Sequence, residues 1–387
     1  MHQDILPRVI FSPGDLALQL CSGLKRLGAE VTLFSPGPVQ TEVRNITADL
    51  SYFDEELKAR GDTYVDLLKK HPLVFISLAR QAQSEILARA FEMANTGELD
   101  IVHVYANEED LALPFSRLCR RPVVFTHHDP FNFLVKYRSV FPKYSHLNWI
   151  SISLAQRLGM PEDTNWLANI PHGLDKNRFR PIERVEGRYL AYLGRIVEPK
   201  GLHLAIRAIK IYNASSRQPY TLKIAGKHYS GGTDSYWQKF ILPQIDGREV
   251  QYVGFIRDDA DKQKFLGNAD ALVVPSTFDE PFGMVMIEAL ACGTPVIGLD
   301  SGAIPEVIRD HETGLIVSKT MRCVHDPKSG RDRFAVDDES TAQKLASSID
   351  QVKEIDRSGC RSDFEQRFSI ERMCSLYFDT YLKLFTK

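Results

Sequence analysis

Two carboxylates stand on either side of a predicted helix start. Glu280 lies in the polar loop after the apolar run 271–275, and Glu288 follows after seven intervening residues, inside the helix. Side chains on a helix lean toward its N-terminus, so we expect Glu288 to point back at the loop of Glu280. The first backbone N–H groups of the helix favour an anion in the same space. They belong to Phe282, Gly283, Met284 and Val285.

Two cations form a second group. Arg195 and Lys200 lie in a loop between the strand-like run 189–193 and a predicted helix from about residue 202. An arginine fork and a lysine point charge are suited to a diphosphate, which both can bind by charge-assisted hydrogen bonds. Taken alone, each group also has a simpler interpretation. Acids near a helix start complement its dipole, and cations on a loop are often only solvated.

The bulk composition fits a globular protein of two domains. The chain has 387 residues, 43% of them hydrophobic and 25% charged. The net charge of -2 argues against nucleic acid as a partner. No apolar run reaches the ~18 residues that a membrane span requires, and the start at Met1 has no signal-peptide pattern. The six cysteines are scattered and lack metal-ligand spacing, which predicts free thiols, no bound metal and a cytoplasmic setting.

Apolar runs alternate with helical patterns along the chain. Such runs predict parallel strands buried on both faces, and ligands of such sheets bind beyond the carboxyl ends of the strands. His128 follows one such run, 123–126, and is therefore a candidate ligand-binding residue; it could equally cap a loop. We predict a first domain over residues 1–170, a second over 171–367, and a C-terminal helix over 368–387 that crosses back to the first.

The motifs resemble those of the retaining GT-B glycosyltransferases, specifically the large family 4. The run E-P-F-G-M-V-M-I-E-A-L-A-C-G-T-P-V-I from Glu280 resembles the family signature, and G-R-I-V-E-P-K-G at 194–201 resembles its G-R-x-x-x-x-K-G element. The resemblance implies two doubly wound Rossmann-like domains that face across a cleft. It also implies transfer of a sugar from a UDP- or GDP-sugar to an acceptor hydroxyl, with retention of anomeric configuration. No cofactor or metal is implied.

The same resemblance assigns roles to the candidate residues. Arg195 and Lys200 stabilise the departing diphosphate, Glu280 holds sugar hydroxyls, and Glu288 holds the ribose. His128 hydrogen-bonds the sugar near its C6 hydroxyl. Main-chain groups near Ile256 recognise the edge of the base, and Gly14 contacts donor phosphate or acceptor from a loop where the family usually has two glycines. The acceptor is a carbohydrate, a lipid-linked sugar or a small molecule, and peripheral membrane contact stays open.

Three further expectations concern departures from the family pattern. The run Val9–Phe11 is short for a central strand, so the first strand is either degenerate or missing. Residues 318–339 are charged and predicted to be irregular, with a surface loop at 326–332. The alternative functions are a weak or inactive sugar-nucleotide-binding protein of the same fold, or a GT-B epimerase or phosphorylase.

Overall fold

The computed structural model describes residues 12–105, 109–182, 188–228, 235–326 and 331–385. The strands are β1 (Thr32–Ser35), β2 (Arg44–Thr47), β3 (Val102–Val104), β4 (Val123–Thr126), β5 (Asn148–Ser151), β6 (Trp166–Asn169), β7 (Tyr189–Leu193), β8 (Thr221–Ala225), β9 (Val250–Gly254), β10 (Ala271–Val274), β11 (Val296–Leu299), β12 (Gly314–Val317), β13 (Met321–Asp326) and β14 (Arg331–Val336). The helices are α1 (Ser12–Arg26), α2 (Ser51–Arg60), α3 (Tyr64–Lys70), α4 (Pro72–Thr96), α5 (Glu109–Phe115), α6 (Val135–Val140), α7 (Leu202–Ser215), α8 (Asp259–Gly267), α9 (Met284–Ala291), α10 (Ile304–Val307), α11 (Asp338–Ser348), α12 (Arg357–Arg367) and α13 (Ile370–Leu382).

The chain divides into two compact units. Unit 1 contains residues 1–152, 157–171 and 370–387, and unit 2 contains 153–156 and 172–369. The chain thus leaves unit 1 after Pro171 and returns to it at Ile370, two residues later than the predicted start of the crossing helix. The short segment 153–156 is held within unit 2 because the carboxylate of Glu306 accepts the backbone N–H groups of Leu154 and Ala155, at 2.7 and 2.6 Å.

Unit 1 is built on parallel strands. β3, β4, β5 and β6 lie side by side in chain order, and β1 and β2 form a separate parallel pair. Buried aromatic rings fill the core around the four-stranded sheet, among them Phe125, Phe131, Phe141 and Trp149. The Trp149 indole N–H donates to the Tyr144 carbonyl at 2.9 Å, so the ring is buried without an unsatisfied donor.

The C-terminal helix α13 is part of unit 1. It packs on α1 so closely that a Cβ added to Gly23 would lie 2.2 Å from the Cys374 sulfur. Tyr377 is fully buried on the same helix, and the hydroxyl of Tyr381 hydrogen-bonds His103 Nδ1 at 2.6 Å. The end of the chain therefore contributes to the core around β3 and β4. The six cysteines are all free thiols, as the sequence predicted.

Unit 2 contains a six-stranded parallel sheet in the order β12-β11-β10-β7-β8-β9. Its first strand, β7, lies between β10 and β8, so the strand order reverses next to β7. Helices cover a sheet of this kind on both faces, and its strands are accordingly apolar: every residue of β10 and β11 is buried. The crevice at the reversal point, beyond the carboxyl ends of β7 and β10, is where such sheets bind ligands.

Glycines bring the loops at this edge into contact. Gly201 has a φ of +68°, and a Cβ added there would lie 1.9 Å from the Pro275 carbonyl oxygen. The Thr277 N–H also donates to the Pro199 carbonyl at 2.9 Å. A Cβ on Gly226 would lie 1.9 Å from the Gly194 carbonyl oxygen. The loops after β7, β8 and β10 are therefore held against one another through their backbones.

One region differs from the prediction. Residues 318–339 were expected to be irregular, but β13 and β14 form an antiparallel ribbon in which Met321 pairs with Val336 and Asp326 with Arg331. The sequence does not indicate this ribbon, because none of its described side chains, at 321–325 and 332–336, is buried. Phe334 is 75% exposed, so no apolar–polar alternation marks the strands. The expected loop at 326–332 is thus partly strand, and residues 327–330 lie outside the described part of the chain.

The N-terminal expectations are resolved only in part. The run Val9–Phe11 lies outside the described residues. Gly14 was expected in a loop before a helix, but α1 begins at Ser12, so Gly14 stands in the first helical turn.

The loop contact at Gly201 yields a stability prediction. Gly201→Ala should lower the free energy of unfolding by about 2–4 kcal/mol, because it combines left-handed backbone strain with a steric clash. Gly247→Ala is the matched control, since Gly247 has a φ of +74° but no atom within 4 Å of an added Cβ. This control should lose only about 1 kcal/mol. Denaturant unfolding of both variants measures the difference, and equal losses would show that the close approach is unimportant.

Candidate functional site

The centre of the candidate site is an ion pair between the two loops at the reversal point. Lys200 Nζ lies 2.5 Å from Glu280 Oε1, and the Glu280 side chain is only 5% exposed. The hydroxyl of Ser276, at the carboxyl end of β10, donates to the same oxygen at 2.6 Å. Lys200 also lies over the Phe278 ring, 4.9 Å from its centroid. An ammonium has three donors, so Lys200 can keep its contact with Glu280 and still bind an anion.

Arg195 is the second cation at this edge. It lies in the loop after β7, its residue is exposed, and its guanidinium forms no ion pair with any carboxylate in the described part of the chain. The loop itself is fixed from below, because the hydroxyl of the buried Tyr192 donates to the Arg195 carbonyl at 2.9 Å. Burial raises the pKa of Tyr192 well above its usual value, so this hydroxyl stays protonated as a donor. The guanidinium is thus on a fixed backbone and open to a ligand.

The start of α9 provides amide groups beside Glu280. Gly283 precedes the helix with a φ of +89°, and the first N–H groups of α9, on Met284 and Val285, have no partner within the helix. The ring of Phe282 is turned inward, 4.9 Å from the His172 ring, so only the backbone of Phe282 is available to a ligand. His172 is buried and packs against this loop through the Phe282 ring.

Glu288 has a partner that the sequence did not indicate. Lys262 on α8 places its Nζ 2.8 Å from Glu288 Oε1, with side-chain exposures of 18% and 12%. One carboxylate oxygen of Glu288 is therefore held by a cation. Ile256, in the loop after β9, is half-buried on the same edge of the sheet. That edge is joined to β8 through the Gly226 N–H, which donates to the Gly254 carbonyl at 2.9 Å.

His128 lies in unit 1, directly beyond β4. Its Nε2 is 2.5 Å from the Tyr105 carbonyl oxygen, and burial lowers the pKa of the imidazole to about 4. Because a carbonyl only accepts, the proton of the neutral ring is on Nε2, and Nδ1 is the acceptor nitrogen. The ring is thus in the tautomer that can accept a hydrogen bond from a hydroxyl.

A buried acid supports the neighbouring histidine. His127 Nδ1 lies 3.1 Å from Glu109 Oε1, and both side chains are at most 3% exposed. Burial alone would raise the pKa of Glu109, but the attraction and hydrogen bond of His127 hold that pKa below its ordinary value. The family resemblance assigns the sugar contact to His128 and not to His127. The structure distinguishes them, because His127 is enclosed and His128 is half-buried at the strand end.

The predicted residues fall into two groups. Arg195, Lys200, Glu280, Glu288 and Ile256, with the amides of 282–285, lie in unit 2 at the carboxyl edge of its sheet. His128 and Gly14 lie in unit 1. The sequence analysis did not predict three residues whose side chains hold the candidate site in place. They are Tyr192, Ser276 and Lys262. Ser276 had a usable signal, since it directly follows the apolar run 271–275. Tyr192 contacts a carbonyl three residues away, but nothing in its apolar strand marks its hydroxyl as a support for the next loop. Lys262 meets Glu288 from a different helix.

The described residues contain neither a metal-ligand cluster nor a membrane-spanning helix. Among the described residues, no three His, Cys, Asp or Glu side chains are grouped so that they could hold a metal ion. Within the same residues, every helix is too short or too polar to cross a membrane.

Comparisons with known proteins agree with this architecture. Residues 175–322, which contain the unit 2 candidate residues, match the family described as glycosyl transferases group 1. The phosphatidyl-myo-inositol mannosyltransferase of Mycobacterium tuberculosis is 28% identical over 236 residues, 57% of this chain and 60% of that protein. The match thus spans less than two thirds of that relative's length. The Mycobacterium leprae protein of the same name is 27% identical over 315 residues, 73% of this chain and 80% of its own.

Solved structures match nearly the whole chain. Anabaena HepE in complex with UDP and glucose superimposes with a TM-score of 0.64 at 18% identity and covers 96% of both chains. Sucrose-phosphate synthase from Thermosynechococcus elongatus superimposes with a TM-score of 0.68 at 18% identity, over 97% of this chain and 94% of that chain. The fold is therefore that of the GT-B proteins, with two Rossmann-like units. The match to glycosyl transferases group 1 covers residues 175–322, which lie in unit 2.

The histidines of unit 1 predict a pH dependence of stability. Burial lowers the pKa of His103 to about 3 and that of His128 to about 4, from the ordinary 6.5. Between pH 6.5 and 4 the unfolded chain therefore binds more protons than the fold, and stability should decrease as the pH falls through this window. Each group contributes a slope of at most ~1.4 kcal/mol per pH unit.

A pair of variants tests this dependence. His103→Gln removes one titrating group but can still hydrogen-bond Tyr381 and Thr126, which His103 contacts at 2.6 and 2.9 Å. Its melting temperature should fall less steeply between pH 6.5 and 4 than that of the natural chain. His146→Gln, at an exposed position, is the control and should keep the natural slope. Identical slopes for all three proteins would contradict the assignment.

Proposed function

We propose that the protein is a retaining, metal-independent glycosyltransferase of family 4, which transfers a sugar from a nucleotide diphosphate sugar to an acceptor hydroxyl. The observation that carries the proposal is the Lys200–Glu280 pair at the reversal point of the unit 2 sheet, where Lys200 shares its loop with the exposed cation Arg195. A diphosphate needs cations and a sugar needs hydroxyl acceptors. This edge supplies both within two loops that are joined through their backbones.

The proposed roles follow from charge and position. Arg195 and Lys200 bind the diphosphate and stabilise the charge that develops on it, in the place that a metal ion takes in other transferases. Glu280 accepts hydrogen bonds from sugar hydroxyls, with its orientation set by Lys200 and Ser276. Because Glu280 is already paired with a lysine, its role is to hold hydroxyls and not to exchange protons. The amides of Met284 and Val285 help to orient the phosphate.

The nucleoside is proposed to lie toward α8 and β9. Glu288 would accept the ribose hydroxyls through the carboxylate oxygen that Lys262 leaves open. The base edge would meet main-chain groups near Ile256. His128, with its acceptor Nδ1, is the residue of unit 1 proposed to hold the transferred sugar. A role for Gly14 in contacting donor phosphate or acceptor remains a prediction from the family resemblance.

The reaction is proposed as a front-face displacement. The bond between the anomeric carbon and the diphosphate oxygen breaks, and a bond from the acceptor oxygen forms on the same face of the sugar. The acceptor proton passes to the departing phosphate oxygen, so no enzyme base is required. The products are a nucleoside diphosphate and a glycoside of unchanged anomeric configuration.

The central prediction concerns Glu280. Glu280→Gln keeps the size of the side chain but removes the charge that Lys200 and Ser276 hold in place, and it should lower kcat by about a hundredfold or more. The measurement is the release of nucleoside diphosphate together with the formation of glycoside. Glu354→Gln, at an exposed position far along the chain, is the control and should retain full activity. Transfer at the natural rate by Glu280→Gln would refute the site assignment.

A donor panel tests the function itself. UDP-, GDP- and ADP-sugars should be titrated by calorimetry, with glucose and mannose donors first, because HepE was solved with UDP and glucose and the mycobacterial relatives are named mannosyltransferases. Lipid-linked acceptors should be included, because the mycobacterial relatives are named phosphatidyl-myo-inositol mannosyltransferases. At least one donor should bind and yield a glycoside with the anomeric configuration of the donor, measured from the one-bond C1–H1 coupling. Binding without any product would instead indicate a sugar-nucleotide-binding protein, and an inverted product would exclude retention.

A further inference from the structure

The loop that carries Glu280 is also held on the side of β11. The turn Ser301–Ala303 follows that strand and contacts the loop at three points. The Ala303 N–H donates to the Glu280 carbonyl at 2.8 Å, and the Ser301 hydroxyl donates to the Phe278 carbonyl at 2.7 Å. Between them, Gly302 has a φ of +55°, and a Cβ added there would lie 2.3 Å from the Glu280 backbone nitrogen. The backbone of Glu280 is therefore confined by this turn.

A lysine stands behind the turn. Lys319 comes directly after β12 and is half-buried. Its Nζ donates to the Ser301 hydroxyl at 2.9 Å and approaches the Thr277 carbonyl at 3.5 Å. Both acceptors are neutral, and within the described ranges Lys319 forms no ion pair. A surface lysine usually stays in water, because holding its long side chain in one rotamer costs up to ~2 kcal/mol of entropy. Here that cost is met by one contact with the Ser301–Ala303 turn and one with the loop that carries Glu280.

The contacts form a chain from the edge strand to Glu280. Lys319 donates to the Ser301 oxygen, and the Ser301 hydroxyl in turn donates to Phe278, two residues before Glu280. A charge at the start of such a chain polarises the hydroxyl and strengthens the next hydrogen bond. On the opposite side, the Thr277 N–H is bound to the Pro199 carbonyl of the Lys200 loop. The segment 277–280 is thus held on one side by the hydrogen bonds from Lys319 through Ser301, and on the other side by the loop that carries Lys200.

We infer that Lys319 is a positioning residue for Glu280, acting through Ser301 and the backbone of 277–280. It does not contact the reacting atoms; it fixes the carboxylate that the proposed function places on the sugar. The expected effect of Lys319 on turnover rests on the proposed function. Its expected effect on the structure of segment 277–280 does not. Misplacement of a catalytic group by about 1 Å can cost up to a hundredfold in rate, so loss of Lys319 should affect turnover much more than nucleotide binding.

The kinetic test uses the full-length chain and four variants. Lys319→Met should lower kcat about ten- to a hundredfold, with the affinity for UDP or GDP changed by no more than about twofold. Lys319→Arg keeps a cationic donor and should recover kcat to within about threefold. Ser301→Ala should reproduce much of the loss, and the double variant Lys319→Met/Ser301→Ala should lose less than the product of the two single effects, because both act on one chain of contacts.

The structural test does not require activity. In Lys319→Met, hydrogen exchange of the Ala303 and Thr277 amides should be faster, since these amides bind the Glu280 and Pro199 carbonyls. Lys344→Met, an exposed lysine of α11, is the matched control and should change neither exchange nor kcat. If the chain proves inactive, the proposed function fails while the exchange experiment still decides the positioning role. Unchanged exchange in Lys319→Met, or equal losses of kcat in Lys319→Met and Lys344→Met, would overturn the inference.

Discussion

The backbone contact between Gly201 and Pro275 is the constraint on which the candidate site depends. It is made possible by a residue without a Cβ, in a conformation that other residues rarely adopt. Because the two loops touch at this point, the cation at the end of one loop and the acid in the other come within 2.5 Å. If these loops were separated by the width of one side chain, Lys200 and Glu280 would be independent surface charges. The geometry of the site thus follows from a packing requirement of two loops.

The electrostatics of the site follow from which charges are paired. Lys200 is paired with Glu280, and Lys262 with Glu288. Each carboxylate is therefore held in place by a cation that offsets its negative charge. Arg195 has no such partner in the described chain. An incoming diphosphate would therefore be attracted mainly by Arg195 and would share Lys200 with Glu280. Both glutamates are thus fixed as hydroxyl acceptors while the site as a whole remains suited to an anion.

The sequence predicted the fold of unit 2 well because its strands are buried on both faces. Runs such as 189–193 and 271–275 are continuous apolar stretches between turn-forming residues, which is the pattern of a buried strand. The structure has strands at both. The same reasoning failed at 321–336, where an exposed ribbon is stabilised by its own pairing and not by burial. It also placed Gly14 before a helix that in fact contains it, because Pro13 is tolerated in a first helical turn.

The sequence by itself determined which residues could do the chemistry, because glutamate, arginine and lysine follow buried strands in a recognisable order and strand ends are where ligands bind. Only the tertiary structure decided how those residues are held. Lys262 and Lys319 reach partners 26 and 18 residues away in the chain, at separations that no local pattern encodes. Ser276 and Tyr192 lie within four residues of their partners, but their contacts depend on the conformation that packing gives the loops. The tautomer of His128 was decided in the same way, by a carbonyl on the neighbouring strand. Local spacing specifies chemistry along one element, whereas orientation and pKa depend on neighbours that only folding brings together.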